Sequence, residues 1–258
     1  MIIAITRQVS PAMENCELTH LSRQPIDIDL ACRQHQAYEE ALKILGCQVQ
    51  HLPSEPELPD SVFVEDAAVV LDEIAIITRP GAVSRRLETT SVARALKPYR
   101  RLCMIEPPGT VDGGDVLCVG KNVFVGLSSR SNALAIEQMQ NILPPYGYAV
   151  NSVNVSGFLH LKSAVTQIAK DTLLINPAWV DASIFGNMSI IEVDPRETYG
   201  ANALWIGEGV IYPSNFPYTR QRIEEALEKR SMRLIDVGVS ELQKAEGAVT
   251  CCSLIVRS

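Results

Sequence analysis

The feature that most restricts how this chain can fold is an internal repeat. Three segments follow one plan: a polar or acidic start, an apolar strand, a two-residue turn, a second strand, then a helix. The first runs Val64-Glu-Asp-Ala-Ala-Val-Val-Leu71, turns at Asp72 and Glu73, continues as Ile74 to Thr78, and predicts a helix from about Ser84 to Leu96. The second is Val111 to Leu117, a turn near Gly120 and Lys121, Val123 to Gly126, and a helix from about Asn132 to Leu143. The third is Gly200 to Ile206, a turn at Glu208 and Gly209, Val210 to Tyr212, and a helix from about Thr219 to Lys229. Turns of this composition between apolar runs are hairpin signals. Pro98, Pro144 and Pro145 end the first two helices, since proline cannot continue the backbone ladder.

A more degenerate copy runs from Leu159-His-Leu-Lys-Ser163 through Val165 to Ile168, turns at Lys170 and Asp171, and resumes as Leu173 to Ile175. A fifth copy has to join the two ends of the chain. Its pieces are the strand Cys252 to Val256, the strand Ile2 to Ile5, and a helix from about Asp27 to Leu45 that lines up Leu30, Ala31, Tyr38, Ala41, Leu42 and Leu45 on one face. Successive starts at Glu65, Asp112, His160, Asn202 and Cys251 are 47, 48, 42 and 49 residues apart. Five near-equal units that close on themselves predict a toroid of strand–strand–helix blades, with the starts gathered around a central site. An ordinary α/β sheet is the alternative. No Gly-, Ser- or Pro-rich linker divides the chain, so one domain over residues 1–258 is expected.

Composition bounds the function. The net charge of −7 argues against a nucleic-acid backbone as partner and favours cationic ligands on approach. The longest apolar runs, such as Ala67 to Leu71, are strand-sized, so no membrane span is expected. Met1 to Ile5 lacks a basic leader and reads as a first strand instead of a secretory signal. Seven scattered cysteines with no C-x-x-C spacing argue against a disulfide framework and a structural zinc site, and point to a cytoplasmic protein with reduced thiols. Oligomeric state is open, with a homodimer one option.

The repeat starts carry the chemistry: Glu65 and Asp66, Asp112, His160, and Cys251 or Cys252. If they converge, one site holds a thiol, an imidazole and three carboxylates. A thiol beside an imidazole is a nucleophilic-catalysis pair. Three carboxylates need a cation, and a guanidinium matches them with several N–H donors in a fixed plane. Asp115, in Asp112-Gly-Gly-Asp115, reads as part of a glycine-permitted turn. No G-x-G-x-x-G or P-loop is present, so no nucleotide site is expected.

The segments Pro59-Asp-Ser-Val-Phe-Val-Glu-Asp66, Ile77-Thr-Arg-Pro-Gly-Ala-Val-Ser-Arg-Arg86, Val111-Asp-Gly-Gly-Asp-Val-Leu117, Phe124-Val-Gly-Leu-Ser-Ser-Arg130, Leu159-His-Leu-Lys-Ser163 and Thr250-Cys-Cys-Ser253 resemble the dimethylarginine dimethylaminohydrolase family. This family belongs to the guanidino-modifying superfamily, and the match runs in order along nearly the whole chain. The resemblance implies a five-bladed α/β propeller, in agreement with the repeat count. It also implies Cys251 as nucleophile, His160 as general acid then general base, and Asp112 orienting the histidine. Asp60 and Asp66 are implied to hold the guanidinium with Glu65 in support, and Arg85 and Arg130 to grip the substrate's α-carboxylate. Leu18 on a lid and the Ala245 carbonyl complete the implied set. Arginine deiminases and amidinotransferases carry an acid two residues after the histidine, where this chain has Lys162. No metal or organic cofactor is implied, and the implied partner is a small methylated arginine.

Strand alternation separates the two adjacent cysteines. Cys252, Leu254 and Val256 share an apolar face, whereas Cys251 opens the strand at its rim, after a turn capped by Ser240 with Gln243 at capping-box spacing. Two other classes remain at this level: a non-catalytic module binding arginine derivatives, and a metal sensor using Cys251, Cys252 and His160.

Overall fold

The computed structural model describes residues 1–257. The first blade contains β1 (Ile2–Arg7), α1 (Ile28–Ile44) and β2 (Cys47–Leu52). The second is β3 (Ala68–Val70), β4 (Ile74–Ile77), α2 (Glu88–Leu96) and β5 (Arg101–Met104). The third is β6 (Val116–Val119), β7 (Asn122–Leu127), α3 (Ala133–Ile142) and β8 (Ala149–Asn154). The fourth opens on α4 (Leu161–Ala164) and holds β9 (Val165–Ala169), β10 (Thr172–Ile175) and β11 (Ser189–Glu192). The fifth is β12 (Leu204–Ile206), β13 (Gly209–Pro213), α5 (Pro217–Glu228) and β14 (Arg233–Val237). α6 (Ser240–Lys244) then leads to β15 (Leu254–Arg257). The result is a five-bladed α/β propeller of three-stranded sheets.

Within a blade the first two strands are antiparallel, and the third returns parallel to the second. The ring closes where β15 pairs antiparallel with β1, from Ile2 opposite Arg257 to Ile5 opposite Leu254. The third strands are the part of each blade that the strand–strand–helix plan lacks. β5, β8 and β14 are largely half-buried or exposed on the outside of the ring, so their sequences show little apolar pattern. In the fourth blade a short 3₁₀ turn, Ala182–Phe185, stands in place of the helix.

The middle strands read as unbroken apolar runs because both their faces are buried between blades. Ile74 and Ile76 share a core with Val123 and Val125 of the next blade. Ala75 and Ile77 share one with Ile3 and Ile5 of the preceding blade. Phe124 likewise turns away from Val123 and Val125 toward Leu173 and Ile175. Helix starts are fixed locally: the Asp27 carboxylate accepts from the Leu30 N–H at 2.9 Å, and the Asn132 side-chain Oδ1 from the Ala135 N–H at 3.0 Å.

The repeat starts meet on the axis, mostly as tight helical turns instead of strand ends: Val64–Ala67, Gly113–Asp115, Leu161–Ala164 and Thr250–Cys252. Asn202 fills the fifth position and ties its neighbours together. Its amide N–H₂ donates to the Lys162 carbonyl and the Thr250 hydroxyl, both at 3.0 Å, and its carbonyl accepts from the Thr250 N–H at 3.1 Å. Two glycines permit this convergence. A Cβ on Gly113 would lie 1.9 Å from the Glu65 carbonyl oxygen, and one on Gly114 2.4 Å from His160 Nδ1. Gly113→Ala is therefore expected to lower stability by about 1–3 kcal/mol in thermal or denaturant melts. Gly238→Ala, whose Cβ meets nothing nearer than 3.7 Å, should stay within about 0.5 kcal/mol of wild type. Equal stability for both variants would contradict the packing at the axis.

Candidate active site

A small cavity on the axis is walled by Asp60, Asp66, Arg85, Arg130, His160 and Cys251, with Glu17, Phe63, Leu159, Ala245, Glu246 and Gly247 completing it. Its free space is about 20 Å³, room for one water, because the loop carrying Glu17 and Thr19 closes over it.

His160 is held from two sides. Its Nε2 lies 3.1 Å from Asp112 Oδ2, and its Nδ1 lies 3.9 Å from Asp66 Oδ1. Asp112 is itself fixed by accepting the Gly81 N–H at 2.9 Å. Asp115, which reads from sequence as a turn residue, has a positional task. One oxygen accepts the Leu161 N–H at 2.9 Å, and the other accepts the Ser128 and Ser131 hydroxyls, each at 2.6 Å. That anchors the start of α4 and with it His160. Burial opposes a charged imidazole, but Asp66, the Asp112 hydrogen bond and the nearby Asp115 outweigh it and lift His160 to about 9. At neutral pH His160 is an imidazolium, set up to donate a proton.

Cys251 lies inside the cavity and not at its rim: it belongs to the Thr250–Cys252 turn and is 9% exposed. The strand, and so the face alternation, begins only at Leu254. Burial, together with the Glu65 and Asp66 carboxylates, pushes the Cys251 thiol up, against a smaller opposing pull from Lys162. Cys252 is completely buried in the core behind it, its thiol against the Ala248 carbonyl at 3.5 Å, and its pKa is likewise raised by burial. The cysteines differ in what they face, since only Cys251 shares the cavity with His160. The expected capping box is absent: Val239 precedes α6, and the Ser240 hydroxyl accepts instead from the Gln34 amide at 2.9 Å.

Asp66 is the acid at the back of the cavity. Burial disfavours its charge, yet His160 and the Arg85 guanidinium hold its carboxyl well below the usual range. Arg85 is committed to the protein. It donates to Asp66 at 2.6 Å, to both Glu88 oxygens at 3.1 and 2.9 Å, and to the Asp60 and Phe63 carbonyls at 3.3 Å. Every guanidinium nitrogen is engaged, so the arrangement suits Arg85 to fixing Asp66 and the Asp60 loop, unlike the carboxylate grip that the resemblance implies. Arg130 is less occupied: it donates to the Thr19 hydroxyl at 2.8 Å and lies 3.9 Å from Asp112.

Three of the implied residues do not line this cavity: Asp112 reaches it only through His160, and Glu65 and Leu18 lie elsewhere. Glu65 turns to the other side of the axis, where it is ion-paired with Lys162 and borders a separate cavity of about 570 Å³ around the opposite ends of the strands. Leu18 is half-buried and packs against the core shared by the first and fifth blades. Sequence reasoning assigned no role to Glu246, Glu17, Phe63 and Leu159: the first two come from loops with no repeat signal, and Phe63 and Leu159 are apolar neighbours of repeat starts.

Asp66, Asp112 and His160 present ligand atoms within 4.8 Å of one another. A metal there would have to displace the proton that the same carboxylates hold on His160.

A propeller whose axis joins a thiol, an imidazolium and carboxylates within one cavity defines a class of cation-binding, cysteine-dependent site. Comparison with known proteins gives the particular family. The model for eukaryotic N,N dimethylarginine dimethylhydrolase matches residues 14–257. The N(G),N(G)-dimethylarginine dimethylaminohydrolase of Pseudomonas aeruginosa is 37% identical over 238 residues, covering 92% of this chain and 91% of that protein. A structure of the enzyme from Pseudomonas aeruginosa, a cysteine-to-serine variant complexed with citrulline, has a TM-score of 0.91 at 35% identity and covers 98% of each chain. A second structure, of a dimethylarginine dimethylaminohydrolase histidine-to-glycine variant in adduct with S-methyl-L-thiocitrulline, has a TM-score of 0.90 at 36% identity, covering 99% of this chain and 100% of that one. The chain belongs to the dimethylarginine dimethylaminohydrolase family.

The charge state of His160 can be tested directly. Its folded pKa of about 9 lies above the ordinary 6.5, so the folded state holds that proton more tightly than the unfolded chain. The stability it contributes is fully present below about pH 6.5 and is lost as pH rises through about 9. NMR titration should find the His160 imidazole protonated at pH 7.5, whereas a midpoint at or below 6.5 would contradict the assigned surroundings.

Proposed function

We propose that this chain hydrolyses the guanidino C–N bond of asymmetric dimethylarginine or monomethylarginine, giving citrulline and dimethylamine or methylamine. The observation that carries this reading is that Cys251 and His160 wall the same buried cavity as Asp60 and Asp66. A nucleophile, a proton donor and cation-binding carboxylates thus meet in one place. It is supported by the citrulline complex of the relative from Pseudomonas aeruginosa.

Asp60 and Asp66 hold the substrate guanidinium in a fixed plane against the thiol. The resting thiol is neutral, and the bound cation is what favours its ionisation, since a positive charge beside it stabilises the thiolate. The thiol proton leaves to solvent, and the Cys251 thiolate attacks the guanidinium carbon. As the C–N bond breaks, the His160 imidazolium gives its proton to the departing amine. The neutral imidazole, oriented by Asp112, then takes a proton from water as its oxygen attacks the thiouronium carbon. When the C–S bond breaks, the remaining hydroxyl proton passes to the sulfur, which restores the Cys251 thiol and releases citrulline. Arg130 meets the α-carboxylate, the Ala245 carbonyl accepts from the α-amino group, and Leu18 covers the bound amino acid. The described cysteines are all unpaired, and a nucleophilic thiol needs to remain reduced, so we assign the chain to the cytoplasm. No described helix is long and apolar enough to cross a membrane. Neither nucleic acid nor an anionic surface is a partner we propose, given the net charge of −7.

The deciding experiment is a citrulline assay in metal-free buffer with arginine, monomethylarginine and asymmetric dimethylarginine. Turnover of the methylated substrates is expected. Cys251→Ser should abolish it and Cys252→Ser should keep most of it, and acid-quenched enzyme should carry an adduct on the Cys251 peptide. Turnover of arginine alone, or an adduct on Cys252, would overturn the reading.

The two arginines predict different kinetic signatures. Arg130→Ala should raise KM about tenfold or more with a smaller effect on kcat, as loss of a charge-assisted contact to substrate does. Arg85→Ala leaves the buried Asp66 and Glu88 without their partner, so it should lower kcat and melting temperature together. A pure KM effect at Arg85 would restore it to the carboxylate grip.

A further inference from the structure

We propose that Glu246 is the latch of the lid over the active site, a positioning residue whose carboxylate holds the backbone of residues 19–21 in the closed state. Three consecutive lid amides donate to it. The Thr19 N–H reaches one oxygen at 2.8 Å, and the His20 and Leu21 N–H groups reach the other at 2.6 and 2.7 Å. All three lid residues are exposed and belong to no helix or strand, so this carboxylate is their main tie to the body of the protein. The other tie is the Thr19 hydroxyl, which accepts from Arg130 at 2.8 Å.

The backbone at Glu246 supplies an independent observation. Its φ is +57°, a left-handed conformation that a β-carbon disfavours. The local hydrogen bonds show why the chain turns there. The Glu246 N–H donates to the Gln243 carbonyl at 3.0 Å, and the Gly247 N–H to the Leu242 carbonyl at 3.0 Å. That pair closes α6 as a Schellman motif with Glu246 at the left-handed position, where glycine is the usual residue. The chain has a glycine one residue later, where a Cβ would stand 2.2 Å from the Phe63 ring. Helix ending alone would be served better by glycine at 246. A carboxylate at a strained position, accepting from three amides of another loop, is accounted for by what it holds.

The latch has a consequence for the reaction. The closed cavity has room for about one water, so a substrate enters only when the lid lifts. Glu246 then sets the balance between open and closed forms, and it does so without contact to the reacting atoms. Here the inference rests on the proposed activity, although the latch itself can be tested without turnover.

The experiment compares full-length wild type with Glu246→Gly and Glu246→Gln by hydrogen–deuterium exchange, melting and steady-state kinetics on dimethylarginine. In Glu246→Gly the amides of residues 19–21 should exchange about tenfold or more faster, the ratio corresponding to one charge-assisted hydrogen bond. Its melting temperature should hold or rise, because glycine suits the left-handed backbone. KM should rise about tenfold, with kcat changed much less. Glu246→Gln, which keeps the side-chain shape without its charge, should lie between the two. Unchanged exchange at residues 19–21 in Glu246→Gly would overturn the latch, whatever the kinetics. A raised KM with unchanged exchange would mean direct contact with substrate and would overturn it as well. If wild type turns over no guanidine, the functional reading fails while the exchange result still decides the latch.

Discussion

The arrangement at the axis depends on one buried carboxylate. Asp66 accepts the Gly114 N–H at 2.9 Å and the Arg85 guanidinium at 2.6 Å, and it lies 3.9 Å from His160. Those contacts join its own blade to the third and fourth, so the group that fixes the imidazolium also holds the ring's centre together. A charge this deeply buried persists only with partners on every side. The partners come from distant parts of the chain, which makes the geometry of the site and the closure of the propeller one problem.

The same economy of charge explains the resting chemistry. Asp66, which with Asp112 and Asp115 keeps His160 protonated, also joins Glu65 in adding to the burial that keeps Cys251 from ionising. At rest a neutral thiol therefore shares the cavity with an imidazolium, and a cationic ligand is needed to change that balance. In such a site substrate binding and nucleophile activation are one event, which protects the thiol from side reactions until the guanidinium arrives. The closed lid adds a second layer of the same protection by keeping bulk water away.

Most of the scaffold was legible from residue order. The two inner strands of each blade announce themselves because both faces are apolar, and the near-equal spacing of Glu65, Asp112, His160, Asn202 and Cys251 revealed how many blades must close. The third strands did not show, since they lie outside and carry mixed residues such as Arg101-Leu-Cys-Met104. The fourth blade's missing helix was likewise hidden, because a 3₁₀ turn spans the gap without leaving a period to read.

Sequence by itself determined the repeat, its closure, and the kinds of reactive group at the blade starts. Period and residue type are local properties, and local patterning suffices for them. Tertiary structure alone decided which way each group faces. Glu65 and Asp66 are adjacent in the chain, yet one pairs with Lys162 across the axis while the other meets His160 and Arg85. Cys251 and Cys252 are adjacent too, but a tight turn, not strand alternation, aims one at the cavity and the other into the core. Arg85 and Glu246 acquire their tasks only from partners that folding brings to them. The physical reason is common to all four cases: the direction of a side chain at a turn depends on a few backbone angles, and contacts between separate blades set those angles.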